Sequence, residues 1–300
     1  MKEQCPIHFS GNCLTSIDSF PVDPLIKIYK ENYQTDVSSF LASSPKIQLY
    51  KCSLTGYRFF LPETLSGDSN FYNSLAKCKD YYLPWKWEFQ QALKWLSPKW
   101  SILEIGSGNG EFLKKASEYV NSCTGIDYLK PNDNLNDINF VSGDYADFIK
   151  STSEKFDCIL LFQVLEHTSA VGKLIELFDR ILKPEGVIII SLPNNNSVLL
   201  KDDSEEALNF PPHHMGWWTP DSILKTMTYF GFKRIFTKNE PLQKYHFNKY
   251  LYLKTLSLNK SFSGYGRIIG RFLNFISPLY LRIFRFAIKG HSFISVYKKQ

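Results

Sequence analysis

No window of this 300-residue chain holds the about 18 uninterrupted apolar residues that a membrane-spanning helix needs, and the opening Met1-Lys-Glu-Gln-Cys-Pro lacks the apolar core of a secretory signal. The chain is therefore expected neither to span a membrane nor to be exported. Cysteines are too scattered for a disulfide framework: Cys5, Cys13, Cys52, Cys78, Cys123 and Cys158 share no compact spacing, and the last two fall inside runs that read as buried strands. A reduced, cytoplasmic setting is the simpler expectation. Apolar residues are not scarce, and 44% hydrophobic content suffices for a full core. One doubly wound domain of about 150 to 200 residues would still leave two flanks to explain.

A third small residue of the dinucleotide fingerprint is also missing. Residues 101–110, Ser-Ile-Leu-Glu-Ile-Gly-Ser-Gly-Asn-Gly, run from a short apolar strand into a glycine turn, and a helical pattern begins at Glu111. Gly106, Gly108 and Gly110 let bare backbone approach a ligand. A pyrophosphate-binding turn wants Gly or Ala three residues after Gly108, where this chain has Glu111, whose carboxylate would repel phosphate. A ligand carrying an amino group and a sulfonium suits Glu104, Ser107 and their neighbours better, so the loop reads as built for S-adenosylmethionine. Residues 123–127, Cys-Thr-Gly-Ile-Asp, form a second strand whose Asp127 falls about 20 residues past the loop, where one carboxylate can accept two ribose hydroxyls. Residues 138–144 repeat the arrangement with Asp144. Phe156 to Phe162 reads as a strand buried on both faces, and Val187 to Leu192 as a fifth strand.

Over about Trp100 to Phe236 these motifs resemble the class I S-adenosylmethionine-dependent methyltransferases. Leu103-Glu-Ile-Gly-Ser-Gly-Asn-Gly is similar to the family's first motif, Gly125-Ile-Asp127 to its ribose-binding acid, and Gly143-Asp144-Tyr145 to the turn that holds adenine. Val164-Leu-Glu-His167 and Leu182-Lys-Pro-Glu-Gly-Val187 are similar to later signatures. Phe210-Pro-Pro-His-His-Met-Gly-Trp-Trp-Thr-Pro-Asp resembles a segment of a bacterial subgroup related to ubiquinone-biosynthesis methyltransferases, whose members often act in surface-polysaccharide or sugar modification. The resemblance implies a doubly wound, Rossmann-like α/β fold with a seven-stranded sheet, and a small-molecule or glycan acceptor. Intact glycines and both acids argue against a non-catalytic binding module.

A hydroxyl acceptor must lose a proton, and His213 or His214, at the carboxyl ends of the strands, suits that task unless one merely fixes the loop by hydrogen bonding. Glu166 and His167 offer a second acid/base pair. Gln163 stands at the same strand end, for contact with the adenine side or at the entrance. Gln163-x-x-Glu166-His167 with a later His also resembles the Glu-x-x-Glu-His metal site of small-RNA 2′-hydroxyl methyltransferases. The first carboxylate has become Gln163, which weakens a hard divalent site. A net charge of +6 does not restore that reading, because the excess lies after residue 225, so nucleic acid is not the expected partner.

The flanks divide at about residue 85. In relatives of this kind the amino-terminal segment resembles a zinc ribbon with two Cys-x2-Cys knuckles. Here His8 stands for one thiolate after Cys5, and Thr55 after Cys52 is no ligand, leaving Cys13 as the only nearby substitute. A degenerate, metal-free ribbon held by aromatics is expected, and the ring-rich residues 67–89 read as plain core ahead of a helix able to roof the pocket. Residues 86–300 would hold the catalytic domain, with a basic amphipathic helical insertion over 240–290 before a last strand at Ser292 to Tyr297. Within it Arg267, Arg271, Asn274, Pro278, Arg282, Arg285 and Lys289 recur every three or four positions. That stripe suits a helical hairpin either lying on an anionic membrane surface or burying its apolar arc in a homodimer.

Overall fold

The computed structural model describes residues 3–78, 85–128, 137–201, 206–261 and 283–300. Eleven strands are found among them: β1 (Leu14–Pro21), β2 (Lys46–Cys52), β3 (Arg58–Leu61), β4 (Ser101–Ile105), β5 (Ser122–Asp127), β6 (Ile138–Ser142), β7 (Phe156–Phe162), β8 (Leu182–Pro193), β9 (Gly216–Trp217), β10 (Phe232–Pro241) and β11 (Lys289–Lys299). Seven form one sheet in the order β10-β11-β8-β7-β4-β5-β6. The pairs β4·β5, β4·β7, β5·β6 and β7·β8 run parallel, while β11 is antiparallel to both β8 and β10. Strand order reverses between β4 and β7, and a crevice therefore opens past their carboxyl ends.

Apolar side chains of this sheet split by the two-residue period of a strand. Leu103 and Ile105 of β4 and Ile159 and Leu161 of β7 face one core, whereas Ile102, Cys158, Leu160 and Phe162 face the other. Both faces are covered, which is why β7 is continuously apolar. Helix Val171–Ile181 covers one of them with Val171, Leu174, Ile175, Phe178 and Ile181, at the spacing of an amphipathic helix.

The amino-terminal segment builds an antiparallel sheet, β1-β2-β3-β9. Its last strand comes from far along the chain: Arg58 pairs with Trp217 and Phe59 with Gly216. Ala207, Phe210 and Met215 also join the core of this sheet beside Tyr29, Leu49 and Phe60. Residues 207–217 thus contribute a strand and core side chains to the sheet of the amino-terminal segment. Contact is close again at Gly172, whose N–H donates to Pro6 O at 2.9 Å and where a Cβ would lie 2.6 Å from Ile7 O. Backbone cannot retreat as a side-chain tip can. Gly172→Ala should therefore lower stability by about 1 to 3 kcal/mol in a denaturant titration, and an unchanged midpoint would show that residues 6–7 are not seated there.

Most of the expected basic stripe, Arg267, Arg271, Asn274, Pro278 and Arg282, lies outside the described residues. Lys289 needs correction: it opens β11, so the helical spacing does not extend to it. Arg285 sits in the turn before that strand, its Nη1 3.5 Å from Leu242 O and its guanidinium 4.4 Å from the Phe286 ring. No helix among the described residues is long and apolar enough to cross a membrane.

Candidate active site

The crevice past β4 and β7 is a cleft of about 780 Å³. That volume suits a nucleoside-sized cofactor together with a second small molecule. Its floor is the turn after β4, where Gly106, Gly108 and Gly110 have φ of 71°, 54° and 74°, in the left-handed region that glycine adopts without strain. A Cβ on Gly106 would lie 2.6 Å from Val164 Cγ2, so the turn also packs tightly against the segment after β7. Gly106 and Ser107 donate their N–H groups to Ile126 O at 2.8 and 3.2 Å. Asp127, at the end of β5, accepts from Gly108 N–H through Oδ2 at 2.8 Å. The acid is thereby fixed against the glycine turn, facing the cleft.

Several lining groups lack partners in a way that fits S-adenosylmethionine. Glu104 is buried with Oε2 unbonded, and Ser107 Oγ is buried and unbonded. Burial pushes the Glu104 carboxyl well above the usual range, with Lys86 working against the shift and Asp127 adding to it. A buried acceptor left this way costs free energy until a cationic donor arrives, and the cofactor's amino group is such a donor. Tyr145 also lines the cleft, as does Gly143. Asp144 turns to other work: Oδ1 caps helix Tyr145–Ser151 by accepting from Ala146 and Asp147 N–H, and Oδ2 accepts from the Tyr128 hydroxyl at 2.8 Å. Gly110 acts at one remove, as the left-handed residue before helix Glu111–Ala116.

Against the glycine turn lies the segment after β7. Gln163 has φ of 58°, and its Nε2 donates to Ser191 Oγ at 3.2 Å and Glu88 Oε1 at 3.3 Å. The carbonyl of Glu166 accepts from Met215 N–H at 2.7 Å and Gly216 N–H at 3.0 Å, which draws the distant Phe210–Gly216 turn onto the cleft. Three imidazoles meet there. His167 and His213 have ring centroids 4.5 Å apart, His213 and His214 4.6 Å, and one ring nitrogen of each lies within 4.8 Å of the others.

Each imidazole is held by its Nδ1. His167 Nδ1 lies 2.7 Å from His213 O, His213 Nδ1 2.8 Å from Leu208 O, and His214 Nδ1 3.3 Å from Asn209 Oδ1. These oxygens only accept, so the proton is placed on Nδ1 and Nε2 keeps its lone pair. Burial lowers all three pKa values, that of His167 to about 4, and mutual repulsion deepens the shift at His213 and His214. The rings are thus neutral at physiological pH.

Beside them the Glu166 side chain is fully buried, with both oxygens unbonded and Oε1 4.0 Å from His167 Nε2. Burial raises its pKa from 4.5 to about 8. The folded protein therefore holds this proton over a range where the unfolded chain has released it, and stability falls as pH rises from about 4.5 to 8. Glu166→Gln removes that dependence. The variant should gain on the wild type by about 1 kcal/mol per pH unit between pH 5 and 7.5 in denaturant titrations. Parallel pH profiles would mean that Glu166 is ionised in the folded state.

Other lining residues carry no sequence signal. Tyr72, on helix Ser69–Leu75, places its hydroxyl 3.3 Å from both His167 Nδ1 and His213 O, so the ring-rich stretch supplies a cleft wall as well as core. Lys86, Lys249, His246 and His291 complete the lining from separate elements.

Known proteins bear on this geometry. Residues 80–235, just over half of the chain, match a family described as a methyltransferase domain. A ubiquinone biosynthesis O-methyltransferase of Bartonella tribocorum is 31% identical over 101 residues, 31% of this chain and only 41% of the length of that relative. Among solved structures, the 1,6-didemethyltoxoflavin-N1-methyltransferase of Burkholderia thailandensis superposes with a TM-score of 0.52 at 13% identity, covering 81% of this chain and 96% of its own. A Geobacter sulfurreducens S-adenosylmethionine-dependent methyltransferase gives 0.45 at 16% identity over 79% and 100%. With the seven-stranded order, the glycine turn after β4 and the family match over residues 80–235, the chain belongs to the class I S-adenosylmethionine-dependent methyltransferases, and S-adenosylmethionine is its cofactor.

Proposed function

We propose that the methyl group goes to a hydroxyl of a small-molecule or glycan acceptor, a sugar or surface-polysaccharide intermediate before others. The cluster of three neutral imidazoles in the same cleft as the glycine turn carries this reading. When bound, the cofactor supplies a methyl group already activated by its sulfonium, which leaves alignment and one proton to the protein. Gly106, Ser107, Gly108 and Asp127 hold the cofactor, Glu104 its amino group, and Tyr145 with the Asp144 turn its adenine end. His213 or His214 takes the hydroxyl proton at Nε2, and His167 with Glu166 stands next to them as the second acid/base pair. Glu166, which keeps its proton in the folded protein, would be the acid of that pair. Likeness of the Phe210 to Asp221 segment to the polysaccharide-locus subgroup supports the sugar acceptor.

A second reading, a quinone or lipid-like acceptor at a membrane surface, draws on exposed apolar side chains of the carboxyl-terminal part. Ile283, Phe284 and Phe286 are exposed, as are Tyr252 and Leu256 on helix Phe247–Ser261, the helix whose Lys249 lines the cleft. A homodimer would cover the same side chains. Mass spectrometry of glycans and lipids from cells with and without the gene separates the readings: one product class should lose one methyl group in the deletion. Loss from the glycan fraction supports the sugar acceptor, loss from the lipid fraction the second reading, and no change in either contradicts both.

A further inference from the structure

Away from the cleft, three thiols that the methyl-transfer chemistry does not use come together in the amino-terminal part. One sulfur each from Cys5, Cys13 and Cys52 lies within 4.8 Å of the other two, and all three side chains are buried. Backbone hydrogen bonds set this convergence. Cys5 N–H donates to Ser10 O at 3.0 Å and Phe9 N–H to Cys5 O at 2.8 Å, closing the loop that leads to Cys13. Ser53 N–H then donates to Cys13 O at 2.9 Å, tying that loop to the turn after Cys52, which closes through Gly56 N–H to Cys52 O at 2.8 Å.

Backbone donors face two of the three sulfurs. N–H groups of Ile7 and His8 are directed at the Cys5 sulfur, and those of Leu54 and Thr55 at the Cys52 sulfur. Such donors stabilise negative charge on sulfur, as they do around metal-bound thiolates. Two of the thiols stand one to a turn, and the third, Cys13, arrives from outside either turn. We propose that Cys5, Cys13 and Cys52 together bind one thiophilic metal ion, zinc above all, which fastens residues 5–13 to the turn between β2 and β3. Each thiol gives its proton to solvent on binding, so one divalent ion and three thiolates form a site of net charge minus one. The fourth position falls to water. Because Pro6 and Ile7 rest on Gly172 at the start of helix Val171–Ile181, the ion would also steady the junction with the catalytic sheet.

The test uses the full chain, purified without chelator. Elemental analysis should find about one zinc per chain, and cobalt(II) added alone to metal-free protein should give a near-ultraviolet thiolate-to-cobalt band. In Cys13→Ser that band should lose about a third of its intensity, as one of three thiolates is removed. Wild-type protein that retains no zinc and takes up neither zinc nor cobalt would overturn the proposal, as would a disulfide among these thiols in freshly isolated protein. A cobalt spectrum unchanged in Cys13→Ser would overturn the three-thiolate set. None of these outcomes depends on methyl transfer.

Discussion

Asp127→Ala is expected to weaken S-adenosylmethionine binding by about 1.5 to 3 kcal/mol, roughly ten- to over a hundredfold in affinity by calorimetry. Two losses combine in this variant. The carboxylate is the acceptor proposed for the ribose hydroxyls, and it also holds the glycine turn through the 2.8 Å bond from Gly108 N–H. Gly108→Val should be at least as damaging, because a β-branched residue at a φ of 54° is strained before any ligand arrives. Binding as tight as wild type in either variant would remove the cofactor from this turn.

Replacing the histidine that serves as base should lower kcat by about a hundredfold or more while cofactor affinity stays unchanged. His213→Gln and His214→Gln are the first comparisons. Both rings keep Nε2 as the acceptor, because Nδ1 is engaged by Leu208 O in one and Asn209 Oδ1 in the other. The replaced base should reveal itself by a KM and a cofactor affinity near wild type beside the lost turnover. If both single variants turn over normally, His167→Gln is the next comparison, since Glu166 Oε1 lies 4.0 Å from its Nε2.

Much of the catalytic sheet was legible because its motifs are local. β4 with Gly106 and Gly108, and β5 with Asp127, each pair an apolar run with the ligand-facing residue that ends it, and the structure brings these residues together in one cleft. Glu166, His167, His213 and His214 converge there too, although the bond from Met215 N–H to Glu166 O that brings the two segments together leaves no trace in the sequence. β9 was invisible for a related reason: two residues carry no periodicity, and its register with Arg58 and Phe59 is long-range. Asp144 shows the limit of motif reading, since its side chain is spent on a helix cap and on Tyr128. Lys289 fitted a helical spacing of basic residues by coincidence; the alternation of a strand beginning there spans only charged, polar and glycine positions until Phe293.

The most direct measurement is transfer of tritiated methyl from S-adenosylmethionine into the small-molecule, glycan, lipid and RNA fractions of an extract from cells lacking the gene. Wild-type protein should label the small-molecule or glycan fraction, Asp127→Ala should label it far more weakly, and RNA should stay unlabelled. Label that enters RNA, or label that is equal for wild type and Asp127→Ala, would contradict a hydroxyl methyltransferase acting on small acceptors through this cleft.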